Sequence, residues 1–157
     1  MAASAAWHAR DVTRFAIDAP VAVGLVRAGV VVPPEHSLVG PGVLRSDALA
    51  LLREEVLRGE RARREGFADL DGIAMLRIRL LSDRVTRRVA WQLADQVQWA
   101  DVGRAEYLAV ARLQGDVLVS ADDALRAGRI GGRDRDGGRG GPAQRARVTQ
   151  SGLGALG

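Results

Sequence analysis

The sequence predicts an α/β fold with a central, mostly parallel sheet flanked by helices, and three observations carry that expectation. Short apolar strand-like runs alternate with helical patterns from residue 12 to residue 127, the order expected of βαβ units. The stretch VTRFAIDAPVAV runs from apolar strand through an acid into a helix, and DVLVSADDAL repeats that order near the far end. The chain has 157 residues, 47% of them hydrophobic, enough for one domain with a sizeable core.

Each element follows from its local pattern. Val12, Phe15 and Ile17 form the apolar face of a first strand, and Pro20, Val21, Leu25 and Val26 open a first helix. VVVPPEHSLVGPG is a turn-rich connector with a possible short strand at Leu38 and Val39. A helix is expected from about Val43 to Arg58, stopped by Gly59. RGERARREG is expected to be an exposed turn or a fraying helix. MLRIRLL alternates like a strand at Leu76, Ile78 and Leu80. The next helix runs from about Asp83 to Trp99, with Val85, Val89, Leu93 and Val97 at helical spacing. AEYLAVARLQG predicts one more helix with a glycine stop, and the strand, acid and helix of DVLVSADDAL close the domain.

Three divisions result: an N-terminal extension over residues 1–11, the domain over 12–127, and a Gly/Arg-rich tail over 128–157 that reads as disordered. The tail holds ten glycines in thirty residues. Its GLGALG matches a dinucleotide fingerprint in form only, since no helix pattern follows it. Residues 1–127 carry equal numbers of arginines and acids, so the net charge of +4 belongs to the tail. Broad attraction to a polyanion must therefore come from a local patch or from that tail.

Composition excludes several chemistries. Without cysteine there is no disulfide, thiol nucleophile or cysteine zinc site. That absence is compatible with a cytoplasmic setting. No apolar run approaches the roughly 20 residues that span a bilayer, so no membrane association is expected. All 23 basic residues are arginine, so neither a Walker-type phosphate loop nor a phospho-acceptor site with its lysine operates in the usual form. No G-x-S-x-G elbow supports serine hydrolysis. His8 and His36 are expected at the surface, and Trp91 and Trp99 in the core or an interface.

What remains is acidic. Asp18 and Asp122 each lie just past the carboxyl end of an expected strand, the edge of an open α/β sheet where ligands bind. Asp18 has a purely structural use as well, because it can cap the helix that Pro20 begins. Two acids sharing one crevice repel, and a hard divalent cation relieves that. Asp47 is a third candidate, placed on the face of Val43, Leu44 and Leu51; its alternative is a stripe-edge acid reaching solvent or pairing with Arg45 or Arg53.

IDAP, PGVLRSDALALL and AEYLAVARLQGDVLVSADDAL together resemble a PIN-domain protein of the VapC toxin type, over about residues 12–127. The resemblance implies a PIN-like three-layer fold. It implies a cytoplasmic, Mg2+- or Mn2+-dependent endoribonuclease that hydrolyses RNA, held inactive by a cognate VapB-type antitoxin and commonly homodimeric. It implies that Asp18, Asp47 and Asp122 are the catalytic and metal-binding acids, with Ser120 supporting the last. One family acid is replaced: Arg104 stands where Asp is typical, and Gly103 where an aromatic is frequent. Glu106 lies two residues on, about 200° round a helix, whereas Asp101, three residues back, is a substitute ligand. No closing strand is visible after the last helix, and a frameshift near residue 128 would account for that. Two functions are therefore expected in competition: a metal-dependent endoribonuclease, or a degenerate PIN domain that binds an antitoxin or RNA.

Overall fold

A computed structural model describes residues 12–128 and 147–149. Its elements, in chain order, are β1 (Thr13–Ile17), α1 (Ala19–Arg27), β2 (His36–Pro41), α2 (Leu44–Leu57), α3 (Arg63–Met75), β3 (Ile78–Leu81), α4 (Arg84–Val97), α5 (Val102–Gln114), β4 (Val117–Val119), α6 (Asp123–Gly128) and β5 (Arg147–Thr149). The strands form one all-parallel sheet in the order β3-β2-β1-β4-β5. The expected α/β class with helices flanking a parallel sheet is what the chain adopts. Among the described residues no helix is long and apolar enough to cross a membrane.

The strand order has a direct consequence for where a ligand can sit. From β1 the chain first winds outward through β2 to β3, then returns past β1 to β4 on its other side. Right-handed crossovers therefore put α1, α2 and α3 on one face and α4, α5 and α6 on the other. The contacts agree, with α1, α2 and α3 packing on one another, α4 on α5, and α5 on α6. β1 and β4 flank the point where the winding reverses, which in open α/β sheets is where a ligand crevice forms beyond the carboxyl ends of the strands.

β1 is central because both of its neighbours are strands and both of its faces are covered. Phe15, Ala16 and Ile17 are all buried, as are Leu38 and Val39 of β2 and Leu118 and Val119 of β4. Helices contribute Val21, Ala22 and Leu25 from α1, Leu44, Ala48 and Leu52 from α2, and Ala105, Leu108 and Val110 from α5.

Four details depart from expectation. The second strand covers six residues, and His36 lies in it, half-buried and edge-on to Phe15 with ring centroids 5.2 Å apart, so it is not a loop surface residue. The arginine-rich stretch read as a turn or fraying helix is a turn over residues 58–62, but its last four residues, from Arg63 to Gly66, already belong to α3, a firm helix of 13 residues with Gly66, Asp69 and Ile73 buried. On α4 the buried side is Thr86, Ala90, Leu93 and Ala94, while Val85 is exposed, so the inward face is rotated by one position from the stripe of valines that the spacing suggests. Trp91 is likewise exposed, whereas Trp99 packs against the core. Finally, Arg147–Thr149 pairs with β4 as a strand within the segment expected to be a disordered tail. The rest of that tail, like the N-terminal extension with His8, lies outside the described residues.

α3 is held against α1 by charge and by close approach. Asp69, 7% exposed, accepts from Arg27 Nε at 2.8 Å and from Arg61 Nη2 at 2.9 Å. Arg27 forks onward to Glu55 of α2. A Cβ built at Gly72 would lie 2.3 Å from Val26 Cγ1, so glycine is what lets the two helices meet. Gly72→Ala gains about 1 kcal/mol in helix propensity yet forces a stiff β-branched neighbour aside. Overpacking of that kind costs roughly 1–3 kcal/mol. A net fall in the urea unfolding midpoint is expected. It should shrink when Val26→Ala is combined with it, since that removes the opposing methyls.

Candidate functional site

The crevice between β1 and β4 is built on one buried carboxylate. Asp18 is 2% exposed. Its Oδ1 accepts the Val21 N–H at 2.9 Å and caps α1. Its Oδ2 accepts the Ser120 hydroxyl at 2.5 Å and the Ala121 N–H at 3.0 Å. The capping reading of Asp18 is what the structure shows, and the same carboxylate also reaches across to the end of β4. Three donors meet a charge that burial would otherwise penalise heavily.

Ser120 relays this contact onward. While its hydroxyl donates to Asp18, its oxygen accepts the Asp122 N–H at 2.9 Å. Asp122 then turns its Oδ1 to the Ala124 and Leu125 N–H groups at 2.8 and 3.3 Å, capping the first turn of α6. Its Oδ2 faces Arg104, which donates from Nε at 3.0 Å and from Nη2. Burial pushes the Asp122 carboxyl up, but the Arg104 hydrogen bonds, the two amides and the guanidinium charge outweigh it, and the group titrates below the ordinary aspartate range.

Arg104 is the residue where the sequence resemblance called for an acid, and three fixtures aim it. Asp101 caps α5 by accepting the Arg104 N–H at 3.1 Å. The Trp99 ring lies under the guanidinium, 5.2 Å from its carbon to the ring centroid, a favourable cation–π placement. Ala105, fully buried, anchors the helix behind it. Asp101 thus serves Arg104 as a cap. Its carboxylate makes no described bond to Asp18 or Asp122.

Asp47 stands elsewhere in the arrangement. The buried stripe of α2 is Leu44, Ala48 and Leu52, and Asp47 is one step off it, on the exposed side. The Tyr107 hydroxyl donates to its Oδ2 at 2.6 Å, so its partner is neither Arg45 nor Arg53. Burial and the neighbouring charges of Asp47, Asp18 and Glu106 raise the Tyr107 phenol far above its usual range and keep it a donor. Glu106 is itself raised, first by burial and then by Asp47, with Arg87 opposing. Tyr107 is the site residue that sequence reasoning passed over. Its spacing of three from Arg104 on α5 places it on the same helical face, a signal available in the sequence.

Compared with protein-family models, with curated proteins and with solved structures, the chain matches none.

The donor set answers whether a divalent ion fits. Among the described residues no group of three or more acids or histidines is disposed to hold a metal. Asp18 and Asp122 are both engaged by protein donors, Asp122 by a guanidinium. Asp47 is bound to Tyr107, and Asp101 to the α5 backbone. The arrangement does not fit Mg2+ or Mn2+, and what it does present is a charge-compensated crevice.

The depressed Asp122 pKa gives a pH signature. Because the folded value lies below the unfolded value of about 3.9, its stabilisation is complete above that value and disappears as pH falls through the folded one. The side chains of Arg104 and Asp122 are 39% and 29% exposed, so solvent screening limits the gain to on the order of 1 kcal/mol. Chemical denaturation should find Asp122→Asn less stable than wild type by that amount at neutral pH. The two proteins should converge as pH drops well below about 4.

Proposed function

We propose that this chain is a PIN-like domain of the VapC toxin type, an endoribonuclease scaffold that engages RNA and an antitoxin and whose hydrolytic centre is weak. The observation that carries the reading is the meeting of Asp18 with Ser120 and Asp122 at the point of the parallel sheet where its winding reverses. Acids converging there are the arrangement that phosphodiester hydrolysis uses, together with the strand-Ser-x-Asp order in the sequence.

The side chains also account for the weakness. Hydrolysis needs an activated water and a counter-charge on the phosphate. Asp18 is fully met by donors, so taking a proton from water would break existing bonds. Asp122 is neutralised by Arg104. No step is therefore assigned to a divalent ion. Arg104, still partly exposed, can turn a donor toward an RNA phosphate, which suits binding better than turnover.

A second surface supports the partner half of the reading. α2 and α3 enclose an apolar groove of about 120 Å³ lined by Leu49, Leu52, Val56, Phe67 and Leu70, with Arg53 and Arg63 at its margin. Leu49 and Phe67 are more than half exposed there. An apolar floor edged with arginines suits an amphipathic helix carrying acids, the chemistry we assign to the antitoxin.

Fluorescence anisotropy with mixed-sequence RNA oligonucleotides tests the proposal. Binding is expected in the presence of EDTA, with a Kd of about 10⁻⁴–10⁻⁶ M that weakens as salt rises. Cleavage of the same pool by wild type should be slow, no faster in manganese than in EDTA, and should vanish in Asp18→Asn, after circular dichroism confirms that this variant is folded. No RNA binding in that range, or cleavage that persists in Asp18→Asn, would overturn it.

A further inference from the structure

We infer that Arg104 is a tethered counter-ion filling the cation position of the strand-end crevice, so that Arg104→Asp turns a protein indifferent to manganese into one that binds it. The inference deepens the reading of the crevice proposed above and names what regulates it. Nε and Nη2 of Arg104 both address Asp122 Oδ2, while backbone amides occupy Oδ1. No oxygen of Asp122 is left without a donor. On the other side of Ser120, Asp18 is equally engaged.

The guanidinium is held in that place. Asp101 fixes its backbone, Trp99 supports its flat face, and the short chain of contacts from Trp99 through Arg104 to Asp122 joins the α4–α5 turn to the start of α6. Arginine remains protonated at any pH the fold survives. Neither mild acid nor mild base frees the site, so release requires a substitution or a stronger anion that draws the guanidinium away.

Replacing Arg104 by Asp removes a fixed positive charge and adds an oxygen donor facing Asp122. Like charges a few ångströms apart at an effective dielectric near 20 change binding constants by powers of ten, and partial exposure trims this to on the order of 100-fold.

Calorimetric titration of the full chain with manganese chloride decides the matter, with melting temperature in EDTA and in manganese as the second readout. Wild type should give neither heat nor a rise in Tm. Arg104→Ala should bind weakly, and Arg104→Asp at least about 100-fold tighter than the weakest binding the titration detects, with a matching rise in Tm. Adding Asp122→Asn to Arg104→Asp should abolish both. If Arg104→Asp fails to fold, Arg104→Ala carries the test, and the absence of any gain in that variant overturns the inference. Equal manganese binding by wild type and Arg104→Asp overturns it too. Cleavage of RNA by manganese-loaded Arg104→Asp is scored separately. A variant that binds manganese and leaves RNA intact upholds the inference and counts against the ribonuclease reading. Cleavage by wild type with ordinary manganese affinity does the reverse.

Discussion

A carboxylate taken almost wholly out of water must have its lone pairs met, and the architecture around Asp18 follows from that requirement. Its partners come from three places: the first turn of α1, the Ser120 hydroxyl at the end of β4, and the Ala121 amide beyond it. A single side chain therefore locks the first crossover to the last one. Because β1 pairs in register with both β2 and β4, the position of Asp18 along the sheet is fixed on both flanks. A slip of one residue would turn the acid to the opposite face and bury it among aliphatics. The hydrogen bonds and the strand register thus enforce each other.

Three other buried or half-buried acids are met by arginine. Asp116 is clasped by the Arg14 backbone and guanidinium at the entry to β4. Asp69 lies between Arg27 and Arg61. Asp122 faces Arg104. A planar fork can satisfy an acid and still hold its helix neighbour, as Arg27 does between Asp69 and Glu55, which an ammonium does less well. A basic complement made entirely of arginine makes such clasps easy to build, and in the crevice it has put one where repulsion between acids would otherwise invite a metal.

Much of this was legible before any coordinates. The strand-acid-helix grammar at Asp18 and Asp122 located both ends of the crevice, because apolar alternation and helix capping are local properties. What escaped reading was non-local or masked by composition. α3 carries two glycines and opens on two arginines, and only its contacts with α1 and α2 reveal why the segment is helical. Asp47 shares a face with Val43, Leu44 and Leu51 by spacing, which leaves open an inward acid or one at the edge of the stripe; it lies at the exposed edge, where Tyr107 from a distant helix meets it. β5 has only three residues and earns its strand geometry from the edge of β4, so no periodic pattern announces it. The pairing of Arg104 with Asp122 spans 18 residues and a strand; spacing rules on one helix do not reach it, and only the family resemblance, by setting a guanidinium among the acids, points to a partner in Asp18 or Asp122.

The strand order also sets a timetable. β1 is made early, yet the register that places Phe15 beside Val117 and Ile17 beside Val119 cannot form until the chain has grown past β4. At a synthesis rate of roughly 5–20 residues per second, that interval is on the order of 5–20 s. During it, β1 exposes one open flank, and Asp18 keeps water in place of Ser120. Until then the central strand has at most one partner strand available, and its acid lacks the Ser120 hydroxyl. The crevice is among the last parts of the molecule to close, and arrival of β4 both covers the open flank of β1 and dries the carboxylate in one event.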